Sequence, residues 1–388
     1  NRPVRSVAEA RAVIDEVCDL AGRTAGISPG SVIMEYIFGG CNALDRYSGC
    51  MTPDRFAELN DSISGQFVGL GIEMKGIAGR GMLLVNVLSD SPARAAGLKP
   101  GDHVVSVDGR DCRDLSTDET ANLLRGLSGS RVIIEVTRSG NPDRTLKLQL
   151  VRRPVVVKSI PLACLVDREQ RIGYIQMTGF QRSSVRELDE ALRRLKAQGM
   201  RALVWDVRHN PGGLLDQSVR VSEKFLPKGQ LVVSTEGRAK DDIDKHHASG
   251  RAKIRKYPVV ILVNGGSASA SEIVAGCLQD LKRAELVGEK TFGKGSVQSI
   301  LPLRNGAALR LTTAKYYTPS HRVIHEKGIT PDHVVKLEAS VLRDLSLKRS
   351  PGSLAALPEE DRARVAKAKD TQLEKALELL KAKLTVSK

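Results

Sequence analysis

Val259-Val-Ile-Leu-Val-Asn264-Gly265-Gly266-Ser267-Ala268-Ser269-Ala270-Ser271-Glu272 decides the fold of this chain. The apolar, mostly β-branched run Val259–Val263 reads as a strand buried on both faces, inside a sheet covered on two sides. Gly265-Gly266 ends it in a tight turn, and Ala270–Leu281 reads as a helix. A strand, a glycine turn and a helix in direct succession form the repeating unit of an α/β domain. A serine at that turn stands at the top of the sheet, beside helix N–H groups that can hold an oxyanion. Spacing does not choose among Ser267, Ser269 and Ser271, and Ser269-Ala-Ser-Glu272 also fits a capping box whose serine only caps.

The alternation extends outward from this unit. Strand Ile172–Met177 leads to helix Val185–Ala197, opened by a Ser184-x-x-Glu187 capping box. Strand Ala202–Val207 leads through Asn210-Pro211-Gly212-Gly213 to a helix ending near Phe225, and Ser296–Leu303 and Ala308–Thr313 read as further strands. Residues Gly237 to Arg255 are charged and turn-rich and read as a surface loop.

A serine nucleophile needs a base. None of the seven histidines stands in a protease-type setting: His209 adjoins the Asn-Pro-Gly-Gly turn, and His246 and His247 lie in the charged loop. Lysine serves when burial lowers its pKa far enough to make it neutral at working pH. Lys294 stands in Thr291-Phe-Gly-Lys294-Gly-Ser-Val-Gln298, where Gly293 and Gly295 allow close backbone approach and Phe292, Val297 and Ile300 offer apolar cover. In a strand, Lys294 and Gln298 face the same side, so Gln298 could orient the amine. Taken alone, Lys294 reads equally as a surface charge. Gly288-x-x-x-x-Gly293-Lys294 matches most of a phosphate-binding loop, but Gly295 replaces the required hydroxyl residue and a strand follows instead of a helix. No nucleotide, metal or other cofactor site is expected.

Between Phe67 and about Arg152 the texture changes to short β-runs, Met82–Val87, His103–Val107 and Val132–Thr137, with one short helix near Thr117–Leu124. Gly69-Leu70-Gly71-Ile72 opens the segment with small residues that let successive N–H groups converge, a shape suited to a terminal carboxylate. Asp90-Ser-Pro-Ala93-x-x-Ala96-Gly-Leu98-x-x-Gly101-Asp102 reads as a turn, a short helix and a glycine turn, and Asp108-Gly109 as a hairpin.

Apolar residues at three- and four-residue spacing mark an amphipathic helix over residues 6–21. A final helix begins near Pro358, with Leu373, Leu377, Leu380 and Leu384 on one face. Such faces pack on the chain's own core or on a second copy. The 388 residues exceed one ordinary domain. A net charge of +15 comes from scattered Lys and Arg without any nucleic-acid motif, so a solvated basic surface is expected rather than a nucleic-acid partner. The six cysteines show no zinc or Cys-x-x-Cys spacing, and Cys41 and Cys50 could pair only in an oxidising compartment. No apolar run is long enough to cross a membrane and no signal peptide is visible.

Asp206-Val-Arg-His-Asn210-Pro-Gly-Gly213, Gly266-Ser-Ala-Ser-Ala-Ser-Glu272, Gly288–Gln298 and Tyr317-Thr-Pro-Ser320, in this order, resemble the carboxyl-terminal processing, or tail-specific, peptidases. Phe67–Arg152 resembles a PDZ domain of the bacterial-protease type. The resemblance implies a multi-domain α/β protein with a crotonase/Clp-protease-like protease core over 153–350 and an inserted PDZ domain over 67–152. Helical segments over 1–66 and 351–388 flank them. It implies a serine endopeptidase with Ser269 as nucleophile, Lys294 as general base and Gln298 supporting the lysine. Ala270 with Gly212 or Gly213 would form the oxyanion hole, and the N–H groups around Gly69, Leu70, Gly71 and Ile72 would hold a substrate's C-terminal carboxylate. Implied partners are proteins or peptides with exposed C-termini, with a homo-oligomer through the terminal helices as a further possibility. The implied location is a bacterial cell envelope, periplasmic or secreted. His209, His321 and His325 depart from the usual pattern, the last two beside the substrate groove. Two readings from other classes compete: a non-catalytic peptide-binding scaffold, which leaves the serine, lysine and glutamine without a purpose, and an acyl-transferring or hydrating enzyme, which leaves the PDZ segment unexplained.

Overall fold

The strand Val259–Val263 lies inside a six-stranded sheet in the computed structural model, which describes residues 3–77, 79–88, 90–138, 141–250, 256–349 and 359–386. The strand order is Leu162–Asp167, Ile172–Gln176, Ala202–Asp206, Val259–Val263, Glu285–Gly288, His333–Val334, parallel throughout except for the antiparallel first pair. Alternation along the central strands sends Leu203, Trp205, Ile261 and Val263 to one face, against the helices Ser184–Ala197 and Ala270–Asp280. Val204, Val260 and Leu262 go to the other, against Ala376, Leu380 and Leu384 of the helix Thr371–Val386. Two covered faces are why the strand reads as an unbroken apolar run. They also settle which partner the last helix has: the chain's own sheet.

A buried ion cluster ties that helix to the sheet's active end. The Arg208 guanidinium reaches Asp206 at 2.6 Å and Asp370 at 2.8 Å, and also donates to Gln372. Two carboxylates and an amide satisfy a buried guanidinium that would otherwise be very costly.

A second sheet joins Gly49–Met51, Ala308–Tyr317, Leu231–Glu236 and Ile243–His247, with Ser296–Pro302 paired to Ala308–Tyr317. Ile243–His247 falls inside the stretch read as a loop. Its side chains are mostly exposed and charged, which removed the apolar alternation that marks a strand. Residues 251–255 of that stretch lie outside the described residues. The Ser184-x-x-Glu187 capping box does not form either. Ser184 Oγ lies 2.6 Å from Ser159 Oγ, and the Glu187 carboxylate accepts the Ile160 N–H at 2.9 Å. Tertiary partners from the preceding strand connection displaced the local ones.

The β-rich segment forms an antiparallel sheet in the order Ile72–Ile77, Gly81–Val87, Asp102–Val107, Arg131–Arg138, Asn141–Val151, with the helix Thr117–Leu124 beside it. Met82 and Leu84 enter its core with Leu98, Val104 and Ile134. Leu83 and Val85 point the opposite way and are covered by Leu347 and Val365, from the helices Ala339–Arg349 and Glu359–Lys367. Pro358, expected to start one final helix, lies outside the described residues. Among those described, the C-terminal stretch holds two helices, and Asp370 between them accepts the Leu373 N–H to cap the second.

At the N-terminus, the helices Val7–Ala25 and Pro29–Leu44 pack as a hairpin. Cys41 and Cys50 are both free thiols. Among the described residues no helix is long and apolar enough to cross a membrane.

Candidate active site

The strand Val259–Val263 ends in a turn that distinguishes its three serines. Ser267 Oγ donates to the Val207 carbonyl at 2.8 Å, Ser271 Oγ donates to the Asn210 carbonyl at 2.9 Å, and both residues are fully buried. Ser269 is half-buried; it heads a capping box with Glu272, and among the described residues its hydroxyl donates to no carbonyl. It is also the strained one, with φ 55° and ψ −115° at the head of the helix Ala270–Asp280. A non-glycine residue at positive φ costs about 1–3 kcal/mol and persists where surrounding structure fixes it. A strained turn between strand and helix is the setting from which a nucleophilic side chain can stand clear of a sheet.

The Asn-Pro-Gly-Gly turn is welded to the serine turn by Asn210. Its carbonyl accepts the Ala268 N–H as well as Ser271 Oγ, and its side chain binds the Met177 carbonyl and the Gly212 N–H. Gly212 faces the candidate nucleophile: a Cβ there would meet the Ala268 oxygen at 2.6 Å, Ser269 Cβ at 2.8 Å and Ala270 N at 2.9 Å. At Gly213 a Cβ would instead strike the Phe180 carbonyl at 2.3 Å. The glycine therefore keeps a space open in front of the Ala270 N–H, which has no acceptor among the described hydrogen bonds. The Gly212 N–H is committed to Asn210, whereas the Gly213 N–H is not committed.

Lys294 lies just ahead of the strand Ser296–Pro302, in a loop packed closely on the segment after it. A Cβ on Gly295 would meet the His325 nitrogen at 2.1 Å, so this approach demands glycine. Burial lowers the Lys294 pKa, and the nearby positive charge of Arg310 lowers it further. Both effects favour the neutral amine that a general base needs. The apolar cover differs from expectation. Phe292 is 52% exposed, and Lys294 Nζ instead faces the ring of Tyr47, 5.5 Å from its centroid. No hydrogen bond joins Lys294 Nζ to Ser269 Oγ among the described residues.

Among the described hydrogen bonds none joins Gln298 to Lys294. Lys294 lies two positions ahead of the strand, whose register shift opposite Val297 and Gln298 adds its extra residue, Thr313, to the partner strand. The Gln298 amide donates to Ser296 Oγ at 2.8 Å and reaches Thr312 Oγ1 at 3.5 Å.

Glu272 is the residue whose importance the sequence concealed. Fully buried, it accepts the Ser269 N–H at 2.9 Å and the Lys294 N–H at 2.8 Å on one oxygen. Its other oxygen accepts the Gly293 N–H at 2.7 Å and Thr291 Oγ1 at 2.5 Å. Burial pushes the carboxyl's pKa up and these donors pull against that. The local Ser-x-x-Glu pattern signalled only the first of the four contacts.

In the β-rich domain, Gly69 ends the strand Gln66–Gly69, and Leu70-Gly71 lead into the strand Ile72–Ile77. Gly71 has φ 74° and packs so tightly that a Cβ would meet Ser91 Cβ at 2.3 Å. The N–H groups of Leu70 and Gly71 have no acceptors among the described hydrogen bonds, leaving them open to a carboxylate. Among the described residues Ile72–Ile77 pairs on one side only, and the helix Thr117–Leu124 packs against it. Arg152 caps that helix, donating to the carbonyls of Leu123 and Leu124.

Comparison with known proteins bears on both regions. Residues 171–335 match peptidase family S41, and residues 84–138 match a PDZ domain. The carboxy-terminal-processing protease of Bartonella bacilliformis is 36% identical over 359 residues, which cover 88% of this chain and 81% of that protein. The carboxyl-terminal-processing protease of a Synechocystis species is 37% identical over 297 residues, 75% of this chain and 67% of that one. Among solved structures, the photosystem II D1 C-terminal processing protease superposes with a TM-score of 0.51 at 28% identity, covering 86% of this chain and 94% of its own.

Proposed function

We propose, from the premise that this chain belongs to peptidase family S41 and is a carboxyl-terminal processing serine protease with a PDZ domain, that Ser269 and Lys294 form its catalytic dyad. Neutral Lys294 takes the proton from Ser269 Oγ as the oxygen attacks the scissile carbonyl. The Ala270 N–H and the Gly213 N–H receive the oxyanion in the space that Gly212 keeps clear. Lys294 returns the proton to the departing amine, and water then releases the acyl-enzyme by the same exchange. The observation that carries this assignment is Ser269 itself: among the described residues it alone of the three serines donates its hydroxyl proton to no carbonyl, and it stands on a strained turn beside an open N–H. Labelling by a fluorophosphonate probe tests it. Wild type should be modified at Ser269, Ser269→Ala should not react, and equal labelling of the two would end the assignment.

The substrates we assign are proteins with exposed C-termini. Their last carboxylate would sit on the N–H groups of Leu70, Gly71 and Ile72, with the tail added along the strand Ile72–Ile77 as an extra strand. We also place the protein in a bacterial cell envelope, periplasmic or secreted. That placement rests on resemblance alone, and cell fractionation tests it.

Self-association belongs to the same reading, through the N-terminal hairpin rather than the last helix. Ile33, Tyr36, Ile37 and Leu44 lie along one side of the helix Pro29–Leu44, and Leu44 is 67% exposed. Spacings of three, four and seven residues make this an open apolar stripe suited to a second copy. Light scattering should find wild type larger than a monomer at micromolar concentration and Ile33→Asp/Ile37→Asp monomeric. A monomeric wild type would remove the proposal.

A further inference from the structure

The dyad reading leaves one contact unexplained: the candidate base points at an aromatic ring supplied by the N-terminal segment. Tyr47 lies between the helix Pro29–Leu44 and the strand Gly49–Met51. Its backbone is held from both sides. The Asp45 carboxylate accepts the Tyr47 N–H at 2.7 Å and both the N–H and hydroxyl of Ser48, and it also accepts Thr312 Oγ1. The Tyr47 carbonyl accepts Arg310 Nε at 2.8 Å, and Gly49–Met51 continues as a strand against Ala308–Tyr317. His325 meets the ring edge-on, with centroids 6.0 Å apart. The ring is thus seated by main-chain contacts that do not involve its own atoms.

We infer that Tyr47 is a positioning residue that holds the Lys294 ammonium in a resting pose, so that the N-terminal segment restrains the general base until substrate or movement releases it. This inference rests on Lys294 being the base. The face of an aromatic ring carries negative charge density and attracts a cation, not a neutral amine. Tyr47 therefore favours the protonated lysine, the form that cannot accept the serine proton. The other groups facing Lys294 do not replace this contact. Arg310, from the strand Ala308–Tyr317, repels it. Arg46, on the same loop as Tyr47, is itself over that ring at 5.4 Å. Of the following loop, His325 and Glu326 face each other at 4.0 Å. The Glu272 carboxylate takes the Lys294 backbone N–H.

A ring–cation contact at a half-buried site changes the population of the bound cation by a factor of about five. The test compares Tyr47→Leu, which keeps apolar cover without a ring, with Tyr47→Phe, which keeps the ring. The readouts are the pH dependence of peptide cleavage and of fluorophosphonate labelling at Ser269, with melting temperatures to check the fold. Tyr47→Leu should move the acid limb of both profiles to lower pH and raise rates on that limb about five-fold. Tyr47→Phe should overlay wild type. An unmoved or upward-moved limb in Tyr47→Leu, or a uniform fall in rate at every pH, would overturn the inference. A wild type unlabelled at Ser269 would overturn the dyad reading and this inference with it, whereas normal labelling with unmoved limbs would remove the inference alone.

Discussion

Glu272→Gln is expected to cost both rate and stability, lowering kcat about 10³-fold and the folding free energy by about 3 kcal/mol. The substitution is nearly isosteric, so no cavity forms. What changes is the polarity of one end of the side chain. Glu272 faces four donors: the N–H groups of Ser269, Gly293 and Lys294 and the Thr291 hydroxyl. An amide presents one oxygen and one NH2 group, so in a fully buried site the Gly293 N–H would confront another donor and the Thr291 hydroxyl would have to turn and accept, leaving its own proton without the carboxylate. Each mismatch costs about 1–3 kcal/mol. The kinetic loss has a separate origin. The same carboxylate oxygen holds the backbone of the candidate nucleophile and that of the candidate base, so it fixes their separation. A misplacement of about 1 Å in such a pair costs about 10²-fold, and here both members lose their anchor together. Thermal melting and steady-state cleavage of one peptide check the two effects independently. Loss of stability with full kcat would mean that Glu272 supports the fold and not the site.

Much of this arrangement was legible in the sequence because it is built from local chemistry. The strand Val259–Val263 was found where five apolar residues placed it, and the short helix expected near Thr117–Leu124 spans those residues. The serine turn, the Asn-Pro-Gly-Gly turn and the Phe-Gly-Lys-Gly loop announce themselves through glycines, since close approach excludes any Cβ. What stayed hidden depends on partners distant in sequence. Gln298 shares a strand face with Ser296, to which its amide is tied, while Lys294 lies ahead of that strand and turns to Tyr47. Glu272 looked like a helix cap because three of its four donors come from a neighbouring residue's distant loop, 19 to 22 positions along the chain. Tyr47 carries no local signal at all: an aromatic in an N-terminal loop becomes part of the site only through pairing with the strand Ala308–Tyr317, more than 250 residues later. The burial of Leu347 and Val365 on the PDZ sheet is of the same kind. Periodicity reports which face of a helix is buried, not against what.

Gly212→Ala is expected to reduce kcat about 10³-fold, with a smaller effect on substrate affinity. The added methyl would occupy the space in front of the Ala270 N–H, within 2.6 to 2.9 Å of Ala268 O, Ser269 Cβ and Ala270 N. That space is where the oxygen of a tetrahedral intermediate must settle once Ser269 has attacked. The ground-state carbonyl lies less deeply in such a hole than the oxyanion, so blocking it removes stabilisation made chiefly in the transition state. Gly212 also has φ 101°, a conformation that alanine strains to adopt, so some stability is lost as well. Gly213→Ala is the contrasting case: its methyl would lie away from the nucleophile, but its N–H is the second proposed oxyanion donor, so it should lose stability as well as rate. It has φ 146° and meets the Phe180 carbonyl at 2.3 Å, away from the serine. Its effect should appear first as a fall in melting temperature, because the turn must shift against Phe180 before it disturbs the site. Fluorophosphonate labelling gives a further check, since the probe's phosphoryl oxygen must enter the same hole. Slow labelling of Gly212→Ala well below its melting transition, where the variant is fully folded, would place the defect in that hole. Labelling at the wild-type rate would mean that the oxyanion is held elsewhere, and that Gly212 serves only the path of the turn.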